Sequence, residues 1–271
     1  MKGDARIEVP ALERALAILN YISEQRSHAA SVPELAAALK IPTSSAYRIV
    51  DVLLDKRLVT EDPGSGLLML GPGCMALGYV ARNFSPVARA AQPVLRDLAR
   101  DTHHMAEIAV RVGPWRLMRL EQWRTENTPV SFRGREGQLI PLNHDNAHGL
   151  CFLSFSPARV IGEFRAAAAD TRFQKFLMRY TPIPDDLAER CARFREQGYA
   201  RSNEPNPETN VRVAVPLFDP HSSRSLVAAT LAVACHADEL SDAKAARWAK
   251  ALHLRAKALA QIFVEQGIRL I

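Results

Sequence analysis

The sequence predicts an α+β chain in two parts: three short helices closed by a hairpin, then a larger domain of antiparallel strands with helices on the outside. Between Ala11 and Leu70 apolar residues recur at three- and four-residue steps in three short runs. A Pro63-Gly64-Ser65-Gly66 turn then joins two strand-like segments, Leu58-Val59-Thr60 and Leu67-Leu68-Met69. From Met105 the spacing changes to strand-like runs, returns to helical, becomes strand-like again and closes on a long helix.

In the first helix Leu12, Leu16, Leu19 and Ile22 define the apolar face. Ser31 followed by Glu34 is a capping box, with Pro33 tolerated in the first turn, and Leu35, Ala36 and Leu39 form the inward side of the second helix. Ile41-Pro42 ends that helix, because proline disfavours helical geometry in the residue before it. Thr43 is positioned to cap the third helix, with Ala46, Ile49, Val50 and Leu53 facing inward and Ser44, Ser45, Tyr47, Arg48 and Asp51 facing outward. Two helices joined by a tight turn, with a hairpin behind them, form a winged helix-turn-helix. Its third helix fits a major groove, where hydroxyls, a tyrosine and an arginine reach phosphates and base edges. Thr43, Ser44, Ser45, Tyr47 and Arg48 are the candidate contacts to double-stranded DNA. The wing tip Gly64-Ser65-Gly66 carries no cation.

The net charge of +6 is not evidence for that interface. Residues 1–70 carry 8 Lys/Arg against 9 Asp/Glu, residues 71–140 carry 10 against 6, and the remainder 17 against 14. A near-neutral reading head neutralises few phosphates, so paired heads on an oligomer are expected. The 48% hydrophobic content indicates a globular chain, and 271 residues suffice for two cores. No apolar run reaches membrane-spanning length and no signal peptide precedes Ala11. Cys74, Cys151, Cys191 and Cys235 are scattered, as in a reduced cytoplasmic protein with no membrane partner.

Gly71-Pro72-Gly73 ends the wing, and Met75, Leu77, Val80 and Ala81 mark a linking helix. The expected division is residues 1–70, a winged helix-turn-helix; 71–84, a linker helix; and 85–271, a sensor-like domain. Ser85-Pro86 opens a long helix in which Pro93 suggests a kink or restart. Ala106–Val112 and Trp115–Trp123 read as a hairpin around Gly113-Pro114, with a third strand over Val130–Arg133. Helices follow over Ala147–Phe155, from Ser156-Pro157, and over Asp185–Gln197, which Gly198 stops. Strands over Val211–Phe218 and Ser225–Cys235 precede the last helix, opened by Leu240-Ser241-Asp242, with Ala245, Trp248, Leu252, Leu259 and Ile262 inward.

The chain resembles the IclR family of bacterial transcriptional regulators over nearly its whole length. The resemblance is carried by Leu12-Glu-Arg-Ala-Leu-Ala-Ile-Leu, Pro42-Thr-Ser-Ser-Ala-Tyr-Arg, Leu70-Gly-Pro, Ala91-Gln-Pro-Val-Leu-Arg-Asp-Leu, Gly198-Tyr-Ala, Val211-Arg and Ala214-Val-Pro-Leu. It implies a GAF-like C-terminal domain that binds a small carboxylate-bearing metabolite, no cofactor, and a homodimer or homotetramer. RNA polymerase is then a candidate partner. The segment from Ser131 to Leu142 is most similar to the branch that activates catabolism of hydroxyphenylpropionate-type aromatic acids.

The resemblance also implies an effector cavity, and this sequence departs from the family there. The loop often written Ala-x-Gly-Lys-Ala reads Ala147-His148-Gly149-Leu150-Cys151, and Asp-Asp-Glu-Glu reads Ser202-Asn203-Glu204-Pro205. A polar cysteine is replaced by Val213 and two serines by Ala232 and Ala234. Ala147, His148, Gly149, Cys151, Asn203, Glu204, Val213, Ala232 and Ala234 are therefore the candidate effector residues. The apolar exchanges favour an aromatic acid over a two- or three-carbon acid. The carboxylate would meet the free amides at the start of the Ala147–Phe155 helix, aided by His148.

Three other readings stay open. His144, His148 and Cys151, at i, i+4 and i+7, can supply zinc ligands from one helical face. Cys151 with His148, or His221 with Ser222 and Ser223, can be read as nucleophile and base of an enzyme, although neither sits on a strand-to-helix elbow. The larger domain can also be an oligomerisation module. The arginines between Arg111 and Arg124 are expected on a solvated face.

Overall fold

The structure is a computed structural model describing residues 9–24, 27–113, 115–126, 128, 136–169, 182–202, 210–222 and 226–270. It divides into two compact units, Met1–Ala81 and Arg82–Ile271.

The first unit comprises α1 (Pro10–Glu24), β1 (Ala29–Ala30), α2 (Val32–Leu39), α3 (Thr43–Asp55), β2 (Val59–Glu61), β3 (Leu68–Leu70) and most of α4 (Pro72–Asn83). Ile18, Ile22, Leu35, Ala36, Ala46, Val50 and Leu53 bury together under the sheet residues Ala30, Val59 and Leu68. The capping box forms as expected: Ser31 N–H donates to Glu34 Oε2 at 2.7 Å, and Glu34 N–H to Ser31 Oγ at 3.4 Å. The sheet has three antiparallel strands in the order β1-β3-β2, one more than the hairpin predicted. Two alanines carry no recognisable alternation, so β1 is visible only through its pairing with Met69 and Leu68.

Two expectations change. The cap of α3 is Pro42, not Thr43, and no side chain caps the helix. Thr43 already has helical geometry, so the hydroxyl expected to bond the second or third amide is one position too late. On α1, Leu12 is 56% and Leu16 51% exposed, whereas Ile18 and Ile22 are fully buried. The first turns carry a second apolar stripe that this unit does not cover.

The entry into α4 is bolted to the turn after α3. Arg57 adopts a left-handed φ of 55°, and its carbonyl accepts the Gly73 N–H at 2.8 Å, while Leu58 O accepts from Gly71 at 2.9 Å. A Cβ on Gly71 would lie far inside contact distance of the Arg57 carbonyl, and one on Gly73 would lie 2.8 Å from it. These two glycines let the backbones touch.

The second unit follows with α5 (Pro86–Thr102), β4 (Met105–Gly113), β5 (Arg116–Trp123), β6 (Leu139–Pro141), α6 (Ala147–Phe155), α7 (Arg159–Ala168), α8 (Leu187–Gln197), β7 (Ala200–Arg201), β8 (Asn210–Phe218), β9 (Val227–His236) and, after a short 3-10 turn at Ala237–Glu239, α9 (Asp242–Glu265). Among the described residues the strands form one antiparallel sheet, β6-β5-β4-β9-β8-β7. Ser85 and Ser241 cap their helices by accepting from Ala88 and Lys244, each at 3.2 Å. Gly198 ends α8 in the left-handed conformation, φ 86°. Helix α5 runs through Pro93 as one element. Pro93 is exposed, so water can reach the carbonyl it leaves without a helical donor. The strand expected over 130–133 lies outside the described residues.

The sheet has two different faces. Ala106 and Ile108 of β4, Val211, Val213 and Val215 of β8, and Leu231 and Val233 of β9 pack against α5 and α9. In α9 the buried side includes Trp248, Leu252, Leu259 and Phe263, while Ile262 is only half-buried. The other face meets α6, in which Ala147 to Ser154 are all buried. A helix apolar all round must be enclosed, and α6 lies between the sheet and α8.

Gly71→Ala is expected to destabilise the N-terminal unit by about 1–3 kcal/mol, because its Cβ meets backbone that cannot move aside. Thermal denaturation of the variant would show an unchanged midpoint if the close approach were dispensable.

Candidate functional site

Helix α3 offers one face to solvent. Thr43, Ser44, Tyr47 and Arg48 are exposed and Ser45 is half-buried. Ala46, Val50 and Leu53 anchor the opposite side, so these groups ride on a helix whose orientation the core sets. With Pro42 as cap, the amides of the first turn lack a side-chain partner and point along the positive end of the dipole, an arrangement suited to a phosphate. The wing turn is acidic: Asp62 Oδ2 accepts from Ser65 N–H at 2.9 Å, and these bonds to Ser65 lower its pKa.

The second unit contains a buried ionic cluster on the α6 face of the sheet. Glu107, on β4, is fully buried. Its Oε2 accepts from Arg119 Nε at 2.5 Å; its Oε1 accepts from Arg212 Nε at 2.6 Å and from His148 Nε2 at 2.9 Å. Arg119 also donates through Nη1 to Gln138 Oε1 at 2.6 Å. His148 Nδ1 lies 2.8 Å from Thr230 Oγ1. Strand pairing explains the convergence. Glu107 pairs with Ala232, Ala109 with both Arg119 and Thr230, and Met105 with Ala234, which pairs with Arg212. Arg212 therefore reaches Glu107 across β9, and only small side chains at Ala232 and Ala234 clear that path.

Burial alone would raise the pKa of Glu107, but the Arg212 and Arg119 guanidiniums and the His148 bond hold it well below the usual carboxylate range. Burial, helped by the same two arginines, lowers that of His148 against the pull of Glu107. A neutral His148 therefore donates Nε2–H to the carboxylate and accepts the Thr230 hydroxyl at Nδ1. The ionised groups are one carboxylate and two guanidiniums, so the cluster carries one positive charge in excess.

Most candidate effector residues gather here. Ala147, His148, Gly149 and Cys151 lie on α6, and Ala232 and Ala234 on the α6 face of β9. Val213 does not: it packs among the α5 and α9 residues, and strand alternation gives the α6 face to its neighbour Arg212. Asn203 and Glu204 lie outside the described residues. The amide of Gly149 is not free, since Asn146 Oδ1 accepts it at 2.8 Å. A Cβ on Gly149 would strike the Asn143 backbone, so close packing dictates this glycine.

Among the described residues no three His, Cys, Asp or Glu side chains gather to hold a metal ion. The His144 ring packs edge-on to Phe164, 6.2 Å between centroids, whereas His148 engages Glu107 and Thr230. Cys151 is buried among apolar side chains, and burial pushes its thiol well up; the Cys235 thiol is pushed up to about 12. Neither is a thiolate near neutral pH. His221 Nε2 lies 3.2 Å from the Phe263 carbonyl, and Ser223 is outside the described residues.

Sequence reading missed Glu107, Arg119, Arg212 and Thr230. Alternation sets Glu107 on the face opposite Ala106 and Ile108, but a charge in that position reads as a solvated face of an antiparallel sheet, so no local signal marked it as buried. Arg119 was assigned to a solvated face but is 5% exposed and ion-paired.

Residues 81–261 match the family model for the bacterial transcriptional regulator IclR C-terminal domain, and residues 11–63 match that for the IclR helix-turn-helix domain. The chain belongs to the IclR family. The HTH-type transcriptional regulator XynR of Escherichia coli K12 is 23% identical over 256 residues, 93% of this chain and 96% of that protein. The fold is that of the crystal structure of an IclR family regulator from Brucella abortus, with a TM-score of 0.76 and 19% identity over 95% of this chain and 94% of that one. An IclR homolog from Microbacterium hydrocarbonoxydans, solved with 4-hydroxybenzoate, shares it at a TM-score of 0.62 and 18% identity, covering 94% of this chain and 99% of that one. This IclR-family chain is thus a transcriptional regulator with a DNA-binding helix-turn-helix and an α+β C-terminal domain, not an enzyme. Among the described residues no helix is long and apolar enough to cross a membrane.

Two outcomes follow from the site geometry. Arg48→Ala is expected to weaken specific operator binding by about 1–3 kcal/mol while the fold stays intact; a footprinting titration with unchanged affinity would remove Arg48 from the interface. The folded-state pKa values of Glu107 and His148 are both lowered, so the unfolded chain binds more protons as pH falls. Stability contributed by His148 is present above about pH 6.5 and is lost below it; that of Glu107 is lost below about pH 4.5. Urea titrations at pH 7, 6 and 5 should show falling stability of the C-terminal unit, with a shallower fall in His148→Gln.

Proposed function

We propose that this IclR-family regulator senses a small monocarboxylic acid with an aromatic body in its C-terminal domain. Occupancy changes its activity at an operator that controls catabolic genes. The observation that carries the reading is the α6 face of the sheet, where a buried cluster with an excess positive charge lies beside the apolar pair Met105 and Ala234. An anionic head and an apolar body match those two surroundings. That the same fold holds 4-hydroxybenzoate in the Microbacterium protein supports the size and chemistry of such a ligand. Ala147, His148, Gly149, Cys151, Ala232 and Ala234 border this region from α6 and β9, while Asn203 and Glu204 belong to the reading through family resemblance alone.

The working division is residues 1–70 for reading DNA, 71–84 as linker and 85–271 for sensing. Thr43, Ser44, Ser45, Tyr47 and Arg48 make the DNA contacts in this scheme. The functional particle is at least a homodimer. The exposed Leu12 and Leu16 of α1 and the exposed Met75, Leu77 and Val80 of α4 support a second copy, since a monomer would leave this apolar surface in water. RNA polymerase is the partner at the promoter, and the cytoplasm the place of action.

Calorimetry on the full chain with hydroxyphenylpropionate, 4-hydroxybenzoate, pyruvate and glyoxylate is expected to rank the two aromatic acids first. Tighter binding of the two- or three-carbon acids would overturn the aromatic reading. Ala234→Ser should move the ranking toward the small acids, by restoring a hydrogen-bonding group. Light scattering on the same preparation should return at least a dimer.

A further inference from the structure

We propose that Arg212 is the carboxylate-binding residue of the effector site, and that Glu107, by accepting its Nε–H and offsetting its charge, sets that site to take a monoanion. The inference rests on the reading that this domain binds a small acid, and names the group that holds it.

A guanidinium has five N–H donors, and a carboxylate takes two of them side by side. Arg212 commits Nε to Glu107 Oε1 at 2.6 Å, and no bond from its Nη atoms to another described residue is seen. Its side chain is 14% exposed, so solvent reaches it. Arg119 differs: it is more deeply buried and uses Nε on Glu107 and Nη1 on Gln138. His148 is committed at both ring nitrogens. The α6 N-terminus has its Gly149 amide taken by Asn146. Among the described side chains of this cluster, Arg212 is the one that combines two uncommitted Nη groups with exposure to solvent.

Its position is well defined. Arg212 N–H donates to Ser202 Oγ at 3.1 Å and Arg212 O accepts from Ser202 N–H at 3.2 Å, which fixes the strand at that point. The row Met105–Ala234–Arg212 runs across three strands, and Met105 with Ala234 forms a small apolar cluster separate from the one under α6. An acid seated on Arg212 would lay its body on that pair.

Charge sets the ligand class. With Glu107 ionised, both arginines cationic and His148 neutral, one negative charge completes the cluster. A dianion would leave an uncompensated charge in a largely desolvated place. Glu107 is then a positioning residue: it orients Arg212 and subtracts one unit of charge, without touching the ligand.

The test is calorimetry on the full-length protein with 4-hydroxybenzoate, 4-hydroxybenzamide, terephthalate and pyruvate. Arg212→Met should weaken 4-hydroxybenzoate about ten- to hundredfold, the range for losing a hydrogen bond to a charged group, and leave the amide unchanged. Glu107→Gln should shift preference from 4-hydroxybenzoate toward terephthalate, which a purely structural role would not do. The double variant Glu107→Gln/Arg212→Met removes both charges of the pair together, keeps the net charge, and should still lose acid binding if folded to the wild-type melting profile. Pyruvate binding that depends on Arg212, without aromatic binding, would uphold the role of Arg212 while the aromatic reading fell. Aromatic acid binding equal in wild type, Arg212→Met and the double variant would overturn the role of Arg212 and leave the aromatic reading standing. Binding of none of the acids by the wild type at millimolar concentration would overturn both.

Discussion

The Glu107 carboxylate constrains more of the C-terminal domain than any other single group. It is fully buried, and a buried carboxylate is tolerated only when its charge and lone pairs are met. Meeting them requires an arginine from β5, an arginine from β8 and a histidine from α6, so one group ties two other strands and the central helix to β4. The tie also sets the side chains between them. Ala232 and Ala234 are small because Arg212 passes over β9, and Thr230 is polar because His148 needs a donor at Nδ1. Residues that seem by sequence to be apolar replacements in a cavity thus have a second reason, the geometry of an ion cluster.

The N-terminal unit depends on a different constraint, the close approach of two backbones. The left-handed turn at Arg57 presents its carbonyl to Gly73, and Gly71 has no room for a side chain against the same carbonyl. The start of the linker helix is held against the turn that ends α3. The helix beyond carries no buried residue in this unit, while Met75, Leu77 and Val80 face solvent.

The two units use charge differently. The reading helix presents few charges, all exposed, where water and salt screen them and specificity comes from placed donors. The Glu107 cluster puts its charges where screening is weak, so one charge more or less there changes the electrostatic balance far more than at the surface.

The sequence by itself determined the local structure. Helical spacing, the Ser31–Glu34 box, the Ser85 and Ser241 caps and the stop at Gly198 are interactions between residues a few positions apart, and each is found. It also determined the family, because many short motifs in one order leave few alternatives. Tertiary structure alone decided which of two apolar stripes on α1 is buried, since Leu12 and Ile18 look alike until a neighbour covers one of them. It placed Val213 on the α5 and α9 face of the sheet and Arg212 on the α6 face, because a strand turns its side chains over at every residue and a displacement of one reverses the face. It assembled Glu107, Arg119, His148, Arg212 and Thr230, which are up to 123 positions apart, through strand pairing that no local pattern encodes.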